Sequence, residues 1–175
     1  VALLQYRHKS AEAEQRREQA GALLALARKY GVPFIINDFI ELCEELDADG
    51  VHVGGTDASV AQVRARLGKD KIVGASCYGD MALARTAEAG GASYVAFGGF
   101  YPSLVKKYAV TTPLDIVLQA KPEISLPCVV IGGMTPDNAA PLVARGADMV
   151  AAITSVYQAD DIDIAVQQFN QLFAA

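Results

Sequence analysis

Short apolar runs of four to six residues alternate along this chain with longer stretches in which apolar positions recur every three or four residues. The first pattern suits a strand covered on both faces and the second a helix with one buried stripe. Their alternation predicts strand and helix units that share a parallel sheet. The unit recurs seven times. Strands are expected over Ala2–Tyr6, Pro33–Ile36, Gly50–Val53, Ile72–Ala75, Tyr94–Phe97, Cys128–Ile131 and Met149–Ile153. Helices are expected from about Ala11 to Tyr30, Phe39 to Leu46, Ser59 to Leu67, Asp80 to Ala89, Pro113 to Ala120, Pro136 to Ala144 and Asp163 to Phe173. Thr112-Pro113 and Thr135-Pro136 each offer an N-cap hydroxyl followed by a first-turn proline. Gly31, Gly68, Gly90 and Gly146 stand just past helical stretches, where a left-handed cap suits a residue without Cβ.

No proline-rich, serine-rich or low-complexity stretch interrupts this order, so one domain over residues 1–175 is expected. A (β/α)8 barrel needs eight strands, one more than the units counted here at about 25 residues each. The chain opens on the strand-like Val1-Ala2-Leu3-Leu4-Gln5, without an initiator methionine. The expected fold is therefore an α/β TIM barrel whose first strand and helix precede Val1. Without them the outer strands would be open edges, which parallel sheets of this size rarely expose.

Composition narrows the function classes. The chain is 52% hydrophobic and 20% charged, as a globular domain is, and its net charge of −5 offers no overall positive field for DNA, RNA or an anionic membrane. Apolar runs such as Val32–Ile36 and Pro127–Gly133 fall short of the roughly 20 residues of a membrane-spanning helix. The start carries no secretory pattern, and Cys43, Cys77 and Cys128 are few and scattered, so a cytoplasmic protein without disulfides is expected.

In such a barrel the informative residues are polar ones at the carboxyl ends of strands. Gln5, Arg7 and Lys9 alternate with Tyr6 and His8, so the first three share one side of the strand end and form a row of donors. Alone, that row is as compatible with a solvated strand end as with a site. Asn37-Asp38 follows Phe34-Ile35-Ile36, and Asp57 lies just beyond Val53. Two carboxylates on neighbouring strands suit Mg²⁺, which takes one or two and completes its shell with water and phosphate oxygens. Taken singly, Asp57 reads better as a helix N-cap before Ser59. Only two histidines, His8 and His52, are present and no cysteine pair, which disfavours zinc. Ser76 ends the next strand, and the 98–107 loop brings Ser103 and Lys106, with Lys107 read as solvated. Gly132-Gly133 before the Thr135-Pro136 helix start, together with Ile153-Thr154-Ser155, resembles a phosphate cradle on the last two strands. His52, between apolar neighbours, reads as a packed histidine, and Cys77 as a small buried residue.

Taken in order, QYRHK (5–9), IIND (35–38), DADGVHVGGTD (47–57), VGAS (73–76), FYPSLVK (100–106), VVIGGMTPDN (129–138) and RGADMVAAIT (145–154) resemble the thiamine-phosphate synthase family over essentially the whole chain, from that family's second strand onward. The resemblance implies a Mg²⁺-dependent transferase that condenses hydroxymethylpyrimidine diphosphate with hydroxyethylthiazole phosphate, giving thiamine phosphate and pyrophosphate by a dissociative displacement. It implies that Gln5, Arg7, Lys9, Asn37, Ser76 and Lys106 hold the pyrimidine diphosphate, with Arg7, Lys9 and Lys106 stabilising the departing charge. Asp38 and Asp57 would bind Mg²⁺, and Ser103, Leu104, Val105, Gly133, Ile153 and Thr154 would surround the thiazole phosphate. Three places depart from the family pattern: Val105 stands for a second threonine, Gly99 for a common proline, and Gly55-Thr56 for a Gln-Glu pair. Altered thiazole-phosphate affinity with the chemistry retained is expected. Two other readings remain: a thiazole tautomerase of the same fold, against which the diphosphate-binding set counts, and a non-catalytic phosphate-binding barrel.

Overall fold

The structure, a computed structural model, describes residues 1–54, 58–103 and 112–174. Seven strands follow one another in chain order: β1 (Leu4–Tyr6), β2 (Phe34–Asn37), β3 (Gly50–Val53), β4 (Ile72–Tyr78), β5 (Tyr94–Phe97), β6 (Cys128–Ile131) and β7 (Met149–Ala151). Between and after them run α1 (Ala13–Lys29), α2 (Ile40–Leu46), α3 (Val60–Leu67), α4 (Met81–Ala89), α5 (Ile116–Ala120), α6 (Pro136–Ala144), α7 (Thr154–Tyr157) and α8 (Ile162–Gln171). The chain divides into two compact units, Val1–Ala75 with Gly90–Ala92, and Ser76–Ala89 with Ser93–Ala175.

In the first unit β1, β2, β3 and the start of β4 pair in parallel. β2 and β3 are buried at every position, as strands covered on both faces must be. Ala20, Leu24 and Ala27 form the buried stripe of α1, and the core joins Tyr6, Phe34, Ile36, Val51 and Val73. Gly50 has no room for a Cβ, which would overlap the carbonyl oxygen of Ile72 on the neighbouring strand.

The second unit pairs β5, β6 and β7 in parallel. Both units lock strand register with the same device. Asp49, just before β3, accepts from the Phe34 N–H at 2.8 Å and returns its own N–H to the Phe34 carbonyl at 3.0 Å. Asp148, just before β7, accepts from the Cys128 N–H at 2.7 Å and returns its N–H to the Cys128 carbonyl at 2.9 Å. A lysine braces each clamp: Lys71 donates to the Ala48 carbonyl at 2.8 Å, and Lys121 to the Asp148 carboxylate at 2.9 Å.

Several expected boundaries move. β4 continues through Ser76 to Tyr78, so Ser76 lies within a strand and not at its end. β7 stops at Ala151; Ile153 is the N-cap of the short helix α7, which Thr154 opens. Pro113 sits in a turn whose carbonyl accepts from the Ile116 N–H, so α5 starts at Ile116 and Thr112 does not cap it. Gly31, Gly68 and Gly146 take the expected positive φ, but after α4 it is Gly91, not Gly90, that does so, and α2 exits through Asp47 at φ +52°. Thr135 caps α6 as expected, in a reciprocal box with Asn138.

Burial removes all three thiols from water and pushes them up from 9.0, to about 11 for Cys43, about 12 for Cys77 and about 11 for Cys128. Each folded value lies above the unfolded one, so their contribution is complete below pH 9 and is lost as the unfolded chain ionises first on the way to pH 11 or 12. Urea-unfolding midpoints are expected to hold between pH 7 and about 8.5 and to fall between about 9 and 11. A midpoint still level at pH 11 would contradict this burial.

Candidate active site

The first unit gathers one set of polar groups at the ends of β1 and β2. Gln5 is exposed on β1, whereas Tyr6 is buried and donates its hydroxyl to Gln19 Oε1 of α1 at 2.9 Å. His8 Nδ1 lies 3.1 Å from the same oxygen, which calls for the Nδ1–H tautomer. Tyr6 and His8 thus both turn toward α1, as the alternation predicted. Burial lifts the Tyr6 phenol above its usual range, with the Arg16 guanidinium opposing. Gln19, invisible as a functional residue in the sequence, thereby anchors the backbone that carries Arg7 and Lys9.

The last registered pair between these strands is Tyr6 with Ile36, and one step further on each chain stand Arg7 and Asn37. Both hold a buried donor without a hydrogen-bond partner: Nε of Arg7 and Nδ2 of Asn37, whose residue is only 6% exposed. A buried donor left unmade costs about 1–3 kcal/mol, so two of them at adjacent strand ends mark a place for acceptors.

Asp38 follows with φ +66°, a conformation uncommon for a residue with a side chain. Its N–H donates to the His52 carbonyl at 2.9 Å, and across it the Phe39 N–H donates to the Asn37 carbonyl at 2.9 Å. That second bond closes a three-residue γ-turn of the rarer, strained kind. Arg16 stacks 3.8 Å over the Phe39 ring and holds the far side of the turn. The Asp38 side chain, 16% exposed, meets Lys9 Nζ at 2.7 Å. Among the described residues no group of three metal-ligating side chains occurs. Asp57 lies outside the described residues; the cap of α3 is Ser59, in a box with Gln62.

The second unit gathers another set. Gly132 and Gly133 take φ +110° and +63°, and the Gly132 carbonyl accepts from the Tyr101 N–H at 3.1 Å. A Cβ on Gly133 would overlap the Pro102 carbonyl oxygen and sit 2.9 Å from that of Tyr101, so this turn lies directly against the segment leading to Ser103. Asn138 ties the turn to α6, donating to the Gly133 carbonyl at 2.9 Å, and Ser155 Oγ donates to the Met134 carbonyl at 2.6 Å, bringing Thr154 and Ile153 to the same turn. Ser103, Gly133, Ile153 and Thr154 are therefore linked through their immediate neighbours. Ser76 is half-buried on β4. Leu104, Val105 and Lys106 lie outside the described residues, as does Lys107.

The family described as Thiamine monophosphate synthase matches residues 1–156. The chain is 66% identical over 174 residues to a thiamine-phosphate synthase of a Janthinobacterium species, covering 99% of this chain and 84% of that one. Against the thiamine-phosphate synthase of Thiobacillus denitrificans the identity is 48% over 175 residues, covering 100% and 83%. A solved thiamine phosphate pyrophosphorylase from Pyrococcus furiosus superposes with a TM-score of 0.89 at 28% identity, covering 99% of this chain and 83% of that one, and identifies the architecture as TIM-like. On the family match and these identities, the chain belongs to the thiamine monophosphate synthase family.

Proposed function

We propose that this chain is a thiamine-phosphate synthase, a transferase that joins hydroxymethylpyrimidine diphosphate to hydroxyethylthiazole phosphate and releases pyrophosphate. The observation that carries the reading is the pair of unpartnered buried donors, Arg7 Nε and Asn37 Nδ2, within two residues in sequence of the Lys9–Asp38 ion pair. Phosphate oxygens are the acceptors such donors lack, and Arg suits them through its planar fork. With Gln5, Ser76 and Lys106 they would hold the pyrimidine diphosphate.

Mg²⁺ fits this donor set, because the Asp38 carboxylate is a hard oxygen ligand and Mg²⁺ needs only one or two such groups beside water and phosphate oxygens. Asp38 and Asp57 would hold it. Bound there, it supplies Lewis-acid stabilisation of negative charge. The remaining work falls to the chain. Arg7, Lys9 and Lys106 stabilise the charge that grows on the diphosphate as its carbon–oxygen bond breaks and it departs with the bonding electrons. The electron-rich pyrimidine ring carries the resulting cation until the thiazole nitrogen lone pair closes the new carbon–nitrogen bond. That nitrogen bears no proton, so no general base is needed. Ser103, Leu104, Val105, Gly133, Ile153 and Thr154 position the thiazole phosphate through hydroxyl and backbone N–H donors.

The proposal extends to one domain whose seven strands are units two to eight of a (β/α)8 barrel, supported by their chain order and parallel pairing. A cytoplasmic setting is part of it, supported by three free thiols. Purified protein given both substrates and Mg²⁺ is expected to form thiamine phosphate and pyrophosphate in equal amounts, and to stop when the metal is omitted. Binding of the thiazole phosphate without turnover would favour a phosphate-binding barrel, and isomerisation of a thiazole alone would favour the tautomerase.

A further inference from the structure

Resting on the reading of Asp38 as a ligand of the divalent ion, we propose that Lys9 is a built-in stand-in for that ion: its ammonium neutralises Asp38 until the metal arrives, and is then released toward the diphosphate. Lys9 Nζ sits 2.7 Å from Asp38 Oδ2, the oxygen type that a metal would take. The two partners differ in freedom. Asp38 is 16% exposed and sits at the centre of a γ-turn closed by the Phe39 N–H, with its own N–H tied to the His52 carbonyl, so its backbone is fixed and its carboxylate is only slightly open to water. A carboxylate held there without a cation would be a partly desolvated, uncompensated charge. Lys9 is 55% exposed, lies beyond the last residue of β1, and carries a compact charge on a flexible four-carbon stem. Such a group can hold the carboxylate and also leave it.

An ammonium and a divalent ion exclude each other at one carboxylate oxygen and repel each other across its two oxygens, so each weakens the other's hold on Asp38. Metal binding therefore weakens the hold of Asp38 on Lys9, and the unpartnered donors of Arg7 and Asn37 mark the chain positions beside which that cation acts on phosphate. By reciprocity, an anion that draws Lys9 away from Asp38 raises the affinity of Asp38 for the metal to the same degree. Loading of the ion and of the diphosphate is thus coupled through one lysine side chain.

The test uses Mn²⁺ alone, titrated into the full chain without substrate and followed by the electron paramagnetic resonance of the free ion. Lys9→Met is expected to bind Mn²⁺ about three- to tenfold more tightly than the natural chain, because the competing cation is gone. Lys9→Gln is expected to do the same, whereas Lys9→Arg, which keeps a competing charge, is expected to show no such gain. Asp38→Asn is expected to lose the site. Unchanged or weaker binding in both Lys9→Met and Lys9→Gln, with loss in Asp38→Asn, would overturn the exchange and leave the metal reading standing. Undiminished binding in Asp38→Asn would overturn both. Far-UV circular dichroism of each variant checks that the fold is kept.

Discussion

Asp38→Asn is expected to lower the rate of pyrophosphate release by about a hundredfold or more while leaving the protein folded. The size follows from the role proposed for Asp38, since the change would remove a ligand of an ion that supplies several kcal/mol of charge stabilisation. The retained fold follows from shape: asparagine is isosteric with aspartate and is enriched, like it, at positive φ. Two further substitutions separate the role of the turn from that of the carboxylate. Both Asp38→Ala and Asp38→Gly remove the ion pair with Lys9, so that loss cancels between them. Exchanging glycine for alanine at an unstrained position gains about 0.4–1 kcal/mol through the unfolded chain. At φ +66° an alanine instead carries about 1–2 kcal/mol of left-handed strain. Asp38→Gly is therefore expected to unfold at higher urea than Asp38→Ala, by roughly 0.5–1 kcal/mol. An alanine variant as stable as the glycine one would remove the strain assigned to the turn, and pyrophosphate release near normal in Asp38→Asn would remove the carboxylate from the mechanism.

That strain was not legible in the sequence, and the reason is general to what was missed. β3, β5 and β6 match their expected bounds residue for residue, because short, mostly apolar runs each followed by glycine leave little choice. Polar residues at strand ends are harder. Ser76-Cys77-Tyr78 looks like a departure from a strand, yet the Gly98 N–H donates to the Tyr78 carbonyl at 3.1 Å and the extended backbone continues. Ile153 looks like strand, yet it serves as the cap of α7. At Thr112 a motif that caps one helix in this chain, at Thr135, is spent on a buried hydroxyl with no partner instead. Glycines are the residues whose type signals a left-handed conformation in the sequence, which hides Asp38 and Asp47, where a short polar side chain takes it. Of the site, the residue types and their sharing of strand ends could be read from period and order. The Lys9–Asp38 contact and the Gln19 anchor depend on the β1–β2 register and on how α1 lies beside it, which local pattern does not encode.

Gly133→Ala is expected to destabilise the protein by about 2–4 kcal/mol, lowering the melting temperature by roughly 5–15 °C. Two terms act together: left-handed strain at φ +63°, and overlap of the new Cβ with the backbone of Tyr101 and Pro102, which cannot rotate out of the way as a side chain can. Gly31 supplies the matched control. Its φ of +64° is nearly the same, yet a Cβ there would meet nothing within 4 Å, so Gly31→Ala carries the strain alone. The difference between the two alanine variants then isolates the overlap, about 1–3 kcal/mol. The functional effect should separate in the same way. Relief of the overlap in Gly133→Ala must move the segment that leads to Ser103, or tear the turn from the Tyr101 N–H, so KM for the thiazole phosphate should rise well above that for the pyrimidine diphosphate, whose proposed donors, Arg7 and Asn37, sit in the other unit. Gly31→Ala, just past α1, should leave both KM values as they are. Equal losses of stability in the two variants would mean that the Gly132-Gly133 turn does not press on the 101–102 backbone, and equal rises in both KM values would detach that turn from the thiazole phosphate.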